Sequence, residues 1–81
     1  MVDAWALVQR EAMAADGFVT FSNISHKAEP LGINNKHLMR LRKLGFLERE
    51  NDSQQGHRVM YRLPATLPPV ERLAEYDRLK R

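Results

Sequence analysis

The sequence contains no cysteine and only four glycines and four prolines, which fits a folded chain better than a flexible one. Without cysteine, disulfide bonds and zinc–thiolate sites are both excluded. No apolar run approaches the ~20 residues that a membrane-spanning helix needs. The N-terminus also lacks the basic start and apolar middle of a secretion signal. We therefore expect a cytoplasmic protein without contact to a membrane.

The length of 81 residues limits the classes of function that the chain can have. A chain of this size makes one small domain with a single modest core, in which a deep catalytic pocket is hard to build. The sequence has no glycine-rich phosphate loop and no usable nucleophile triad. We expect a protein that is not an enzyme and that uses no cofactor.

Three histidines raise the question of a metal site. His26, His37 and His57 have no ligand spacing that fits one, and no cysteine lies beside them. No metal site is therefore predicted. His37 falls on the leucine side of its predicted helix, where a partly buried packing role is expected.

Positive charge is concentrated in the middle third of the chain, although the formal net charge is only +3. Residues 1–35 carry two basic against four acidic side chains, and residues 63–81 carry four against three. Residues 36–62 carry seven basic against three acidic side chains. This local excess suits contact with a polyanion better than general solubilisation.

The N-terminal part predicts a helix followed by a short strand. Asp3 is expected to cap the helix, which runs to about Ala15 and buries Trp5 as a packing residue. Residues 18–21 are β-branched and aromatic, which is typical of a brief strand.

A second and a third helix should follow, joined by a tight turn. Ser22 or Ser25 is expected to open the second helix, and Pro30 should end or distort it because proline removes a backbone donor. Gly32 can adopt a positive φ in the turn. Asn34 is well placed to cap the third helix.

Residues 34–44 form the stretch with the clearest functional pattern. Wound as a helix, they gather Leu38, Leu41 and Leu44 on one face, and Gly45 is placed to end the helix. The other face and its shoulders carry Asn35, Lys36, Met39, Arg40, Arg42 and Lys43. An apolar back and a cationic front with an amide near its N-terminal end suit a helix that lies on DNA.

Residues 46–63 predict a β-hairpin with strands at 46–50 and 58–63 and a polar loop at 51–56. Strand alternation places Val59, Tyr61 and Leu63 on an inner face and Arg58, Met60 and Arg62 on an outer, mostly basic face. A last helix is predicted over about residues 69–80. Its apolar stripe consists of Val70, Leu73, Tyr76 and Leu79.

The spacing of three residues across the second and third predicted helices is typical of a helix-turn-helix pair. Ala28, Gly32 and Leu38 follow the pattern Ala-x3-Gly-x5-Leu, in which a small residue, a turn glycine and a core leucine join two crossing helices. Residues 41–49 then read Leu-Arg-Lys-Leu-Gly-Phe-Leu-Glu-Arg and lead into the basic hairpin. With these residues, the sequence resembles the winged helix-turn-helix transcription regulators of bacteria and archaea over residues 18–63.

The resemblance implies an α+β fold that is mostly α, with a three-helix core, a β-hairpin wing and an extra C-terminal helix. Residues 1–65 would form the winged helix-turn-helix domain, and residues 66–81 would form the C-terminal helix. In this family the helix at 34–44 enters the major groove, while the wing at 46–63 contacts the backbone or minor groove. The contacts implied here are Asn35, Lys36, Met39, Arg40, Arg42, Lys43, His57 and Arg58.

Side-chain chemistry divides these contacts into residues that contact bases and residues that contact phosphates. An amide can bind adenine and a guanidinium can bind guanine in a bidentate manner, so Asn35 and Arg40 are predicted to read bases. Met39 offers an apolar contact. The predicted phosphate anchors are Lys36, Arg42 and Lys43. Arg58 would enter a narrow minor groove or meet phosphate, with His57 beside it near the wing tip.

A single reading helix on so small a domain gives little affinity, so a homodimer on a palindromic DNA site is expected. Its predicted interface is Val70, Leu73, Tyr76 and Leu79. The alternative is that this last helix folds back on its own domain. No small-molecule effector is evident.

Two other functions fit parts of the pattern. A winged-helix module that binds a protein partner would explain the low net charge and the apolar stripe of the last helix. RNA binding is less favoured, because no cluster of exposed aromatic residues is predicted for base stacking.

Overall fold

Residues 1–79, which the computed structural model describes, form four α-helices, two 3₁₀ turns and a three-stranded antiparallel sheet. In chain order these are α1 (Val2–Ala14), β1 (Phe18–Thr20), α2 (Phe21–Ala28), a 3₁₀ turn (Glu29–Leu31), α3 (Asn35–Lys43), β2 (Glu48–Arg49), a second 3₁₀ turn (Gly56–Arg58), β3 (Met60–Arg62) and α4 (Glu71–Leu79). The expected small, mostly helical α+β class is confirmed.

The first helix starts earlier than its expected cap. Met1 occupies the N-cap position, and Asp3 lies inside the first turn, where a carboxylate still suits the helix dipole. The prediction of an Asp3 cap is therefore wrong. Trp5 is buried in the core, where its ring meets the edge of Phe46 at a centroid distance of 5.1 Å.

The second helix also starts before either predicted serine. The hydroxyl of Thr20 accepts a hydrogen bond from the backbone N–H of Asn23 at 3.3 Å, so α2 begins at Phe21. The helix ends at Ala28, and Pro30 lies in the 3₁₀ turn that follows. Gly32 then adopts a φ of 74°, as the turn requires.

The strand from Met60 to Arg62 lies in the middle of the sheet, whose order is β1-β3-β2. Phe18 pairs with Arg62 on one side, and Arg49 pairs with Tyr61 on the other. The predicted hairpin is present, but β2 is only two residues long. The sheet joins the hairpin to the helices through β1.

The core lies between α1, α3 and the inner face of the sheet. All four helices contribute to it, and it includes both Leu38 and Leu41, as the helical pattern predicted. Its buried members are Trp5, Val8, Ala12, Val19, Ile24, Leu38, Leu41, Phe46, Leu47, Val59, Tyr61 and Leu73. The apolar back of α3 is thus fixed, which leaves the opposite side of this helix at the surface.

The C-terminal helix packs on its own domain. Leu73 is fully buried in the core, and the backbone N–H of Val2 donates to Asp77 Oδ2 at 3.1 Å. The Met1 amino group forms an ion pair with the same carboxylate. Leu73 therefore offers no surface to a partner. Of the predicted interface residues, Val70 and Leu79 are exposed and Tyr76 is half-buried.

The predicted end of this helix at Lys80 lies outside the described residues, as does the last residue of the predicted 66–81 segment. Within residues 1–79, no helix has the length and apolar character needed to cross a membrane.

Candidate nucleic-acid interface

The third helix is fixed at both ends by local hydrogen bonds. Asn34 Oδ1 accepts from the backbone N–H of Lys36 at 2.9 Å, and the Asn34 N–H donates to His37 Nδ1 at 3.0 Å. These bonds form a reciprocal capping box, so the predicted Asn34 cap is confirmed. His37 is half-buried and has a capping role beyond the expected packing role. Gly45 follows the helix with a φ of 91°.

Four of the predicted contact residues share the open face of α3. Lys36, Met39, Arg40 and Lys43 line a shallow depression of ≈ 320 Å³. Lys36 and Lys43 are exposed, and Arg40 is half-buried. Within residues 1–79, none of these cations forms an ion pair. Their charge is therefore available to an external anion.

Two further predicted contacts face the hairpin instead. Asn35 and Arg42 line a cleft of ≈ 230 Å³ between α3 and the segment from Arg49 to Tyr61. The cleft is lined by Asn35, Met39, Arg42, Lys43, Arg49, Ser53, Gln54, Gly56, Val59 and Tyr61. It contains cations and neutral polar groups but no acidic side chain from residues 1–79.

The side-chain amide of Asn35 is covered by the hairpin loop. Its Oδ1 atom is buried and has no hydrogen-bond partner within residues 1–79. A Cβ built on Gly56 would lie 2.6 Å from Asn35 Nδ2, so only glycine allows the loop to approach this closely. The predicted base-reading role of Asn35 therefore requires the loop to move.

The last two predicted contacts lie away from the open face of α3. His57 and Arg58 are exposed and belong to the 3₁₀ turn from Gly56 to Arg58, which lies beside α2. The turn is held in place because Asn51 Nδ2 donates to the Arg58 carbonyl at 3.2 Å. This turn places His57 and Arg58 beside α2, and neither residue lines the open face of α3.

Internal hydrogen bonds shape the hairpin loop. Arg49 Nε donates to the Asn51 carbonyl at 2.7 Å, and Arg49 Nη2 also donates to the Ser53 carbonyl. The Met60 N–H donates to Asn51 Oδ1 at 3.1 Å. One arginine and one asparagine thus hold the loop against the sheet.

The outer face of the hairpin is less basic than predicted. Arg62 Nη2 lies 2.9 Å from Glu48, and Arg62 Nε lies 3.1 Å from Glu50. Arg62 is exposed, but these two carboxylates offset its charge. The cations of α3 and of the cleft form no ion pair within residues 1–79.

Tyr61 forms part of the cleft wall and is almost fully buried. Burial raises the pKa of its hydroxyl, whereas the positive charges of Arg49 and Arg42 act in the lowering direction. Both guanidinium groups therefore act electrostatically on this hydroxyl. At neutral pH, Tyr61 remains a protonated hydrogen-bond donor.

Sequence reasoning missed Arg49 and Tyr61 as candidate site residues. The strand alternation predicts Tyr61 on the inner apolar face, and the pattern indicates no more for Arg49 than a strand position. Their direct pairing across β2 and β3 is the signal that would have connected them, but it depends on the strand register.

The arrangement combines an exposed cationic helix face with a cationic cleft beside it, which suits an extended polyanion. Within residues 1–79, no group of three His, Asp or Glu side chains is placed to hold a metal ion. Comparison with protein-family models, curated proteins and solved structures found no match.

Proposed function

We propose that this protein binds double-stranded DNA sequence-specifically as a small winged helix-turn-helix transcriptional regulator. The observation that carries this proposal is the open face of α3, where Lys36, Arg40 and Lys43 present charge without an acidic partner among the described residues. The element order and the β1-β3-β2 sheet suit a helix-turn-helix followed by a wing.

In this proposal, α3 lies in the major groove, whose width of ~12 Å admits one α-helix. Arg40 reads a base edge, and guanine is its preferred partner because O6 and N7 accept two parallel hydrogen bonds. Lys36 and Lys43 bind phosphates and set affinity and register. Met39 is 45% exposed at the centre of this face and makes an apolar contact to a base.

The outer parts of the site have supporting roles. Arg58 contacts phosphate or a narrow minor groove from the flank of the hairpin, with His57 beside it. The protein acts as a dimer on a palindromic site, with Val70, Tyr76 and Leu79 as the accessible members of the predicted interface.

A binding titration with paired charge variants tests the proposal. The Arg40→Ala/Lys43→Ala double variant should bind duplex DNA more weakly than wild type and show a shallower dependence of affinity on salt. The matched control is Arg10→Ala/Arg72→Ala, which also removes two positive charges but leaves α3 intact. Equal binding by both double variants, or no binding by wild type at low salt, would contradict the proposal.

Protein binding is the second candidate function, favoured by two exposed apolar residues, Val70 just before α4 and Leu79 at its end. A stable protein partner whose binding survives the Arg40→Ala/Lys43→Ala change but is lost on Val70→Ser/Leu79→Ser would support it.

A further inference from the structure

The cleft between α3 and the hairpin has the composition of an anion site. Arg42 and Lys43 approach it from the helix, and Arg49 approaches it from the hairpin. No acidic side chain among the described residues lines it. Val59 and Tyr61 supply an apolar surface with one hydroxyl. Charge alone would suit many anions, so the shape and the position of the cleft decide what it holds.

The position follows from duplex geometry. A helix in the major groove and a hairpin at the neighbouring minor groove are separated by one sugar–phosphate strand. The open side of a crevice between such a helix and hairpin therefore faces that strand. The lining of this crevice by Arg42 and Arg49 places cations on opposite sides of the strand's path.

We propose that this cleft is a phosphate-ester site in which Arg42 and Arg49 hold one phosphate between α3 and the hairpin. In the DNA complex, the phosphate belongs to the strand between the two grooves, and this part rests on the proposed function. A free mononucleotide carries the same phosphate ester and is the second source of the ligand chemistry.

Arg49 is already oriented for this role. Its Nε and Nη2 atoms donate to the Asn51 and Ser53 carbonyls, which fixes the guanidinium plane and leaves its other N–H groups available. A pre-oriented guanidinium loses less conformational entropy on binding than a free one. Arg42 forms no ion pair within residues 1–79, so its charge is not offset inside the chain.

The remaining lining groups fit an ester better than a bare ion. The volume of ≈ 230 Å³ leaves room for a phosphate and part of its sugar. The Tyr61 hydroxyl can donate to a phosphate oxygen, while Met39 and Val59 offer contact to the sugar or base.

Two measurements on the full chain test the proposal. The first is the salt dependence of duplex binding for Arg42→Gln, with Arg10→Gln as a control that removes one positive charge far from the cleft. Loss of one phosphate contact should reduce the slope of log K against log salt by about 0.9. Arg49→Gln serves as a second variant, accompanied by a circular dichroism spectrum because Arg49 also holds the loop.

The second measurement does not depend on duplex binding. Thymidine monophosphate, thymidine and inorganic phosphate are titrated separately while the NMR signals of the Tyr61 ring and Arg42 Nε are followed. Saturable shifts are expected with the monophosphate, and Arg42→Gln should abolish them. Thymidine, which lacks the phosphate, should leave these signals unchanged.

The results separate the site from the proposed function, and a reduced slope without monophosphate binding supports the site as a contact to DNA alone. A reduced slope together with monophosphate binding supports both the site and the proposed function. Duplex binding with the same slope for Arg42→Gln and Arg10→Gln overturns the site but leaves the proposed function standing. Monophosphate binding without duplex binding supports the site and overturns the function. Absence of both overturns both, and equal shifts with thymidine and its monophosphate overturn the phosphate assignment.

Discussion

Gly56 and Asn35 are in such close contact that a Cβ on Gly56 would lie 2.6 Å from Asn35 Nδ2. This contact closes the hairpin loop over the first turn of α3 and buries the Asn35 oxygen without a partner within residues 1–79. The loop conformation and the orientation of the amide are therefore coupled.

A double-mutant cycle tests this coupling. Gly56→Ala should destabilise the protein by about 1–3 kcal/mol, because an added methyl group displaces the amide or the loop. Asn35→Ala should cost little, because a buried acceptor without a partner itself costs about 1–3 kcal/mol. In the Asn35→Ala background, the cost of Gly56→Ala should largely disappear, as measured by urea unfolding.

The neighbouring asparagine supplies the control for this cycle. No atom of Asn34 lies within 4 Å of the built Cβ, so Asn34→Ala and Gly56→Ala should have additive effects. Additivity of Asn35→Ala with Gly56→Ala would instead show that the two residues do not constrain one another.

The capping role of Asn34 predicts that its replacement lowers the stability of the protein more than replacement of another exposed asparagine. Asn34→Ala removes the acceptor for the Lys36 N–H and should lower the free energy of unfolding by ~1 kcal/mol. The control is Asn23→Ala, an exposed asparagine whose backbone N–H, not its side chain, bonds to Thr20. Similar unfolding midpoints for the two variants would contradict the capping role.

The prediction of α3 succeeded because local rules set its limits. A capping asparagine, three leucines at helical spacing and a glycine with positive φ all lie within twelve residues. The prediction of the start of α2 failed because a non-local strand pairing decides it. Ser22 and Ser25 are good caps by type, but Thr20 ends β1 by pairing with Met60 and thereby becomes the cap.

The cleft was unpredictable for a related reason. The sequence indicated the hairpin, but the path of its loop depends on side-chain bonds inside it, from Arg49 to the Asn51 carbonyl and from Asn51 to the Arg58 carbonyl. In this loop Gly56 lies against Asn35, and both residues line the cleft. Of the candidate site, the sequence therefore predicted the open face of α3 but neither the cleft nor the covered position of Asn35.

The pKa of Tyr61 gives a test of the charges in the cleft. Burial raises it above the ordinary value of 10.0, and Arg42 lowers it, so Arg42→Gln should raise this pKa further. The ¹³Cζ shift of the tyrosine ring, followed against pH, measures the change. Arg10→Gln should leave the titration where it is in wild type, and equal titrations for both variants would place Arg42 away from Tyr61.

The raised pKa of Tyr61 also predicts how the free energy of unfolding changes at alkaline pH. The folded chain keeps the Tyr61 proton when the unfolded chain loses it, so the unfolding free energy should fall as pH rises beyond about 10. Tyr61→Phe should reduce this fall in urea unfolding curves. Equal falls for wild type and Tyr61→Phe would contradict a raised pKa of Tyr61.

Two leucines on α4 should differ sharply in importance. Leu73 is fully buried and Leu79 is 71% exposed. Leu73→Ala should cost about 2–5 kcal/mol of stability through lost burial and a cavity, whereas Leu79→Ala should cost less than ~0.5 kcal/mol. Equal costs in thermal unfolding would mean that α4 does not pack on the core as described.

The proposed dimer makes a separate prediction. Val70→Ser/Leu79→Ser should weaken self-association in sedimentation equilibrium, because both side chains are exposed in the single chain, Val70 just before α4 and Leu79 at its end. Met13→Ser is the control, since Met13 is 68% exposed on α1. A dimer that withstands the first change but not the second would place the interface on α1.

Selection of bound sequences from a random duplex library tests the central claim most directly. Wild-type protein should enrich a guanine-containing motif, present as two inverted half-sites if the dimer forms. Arg40→Ala should relax the preference at one position, while Arg10→Ala should retain the whole motif. Failure of wild type to enrich any sequence over the starting library would contradict sequence-specific DNA binding by α3.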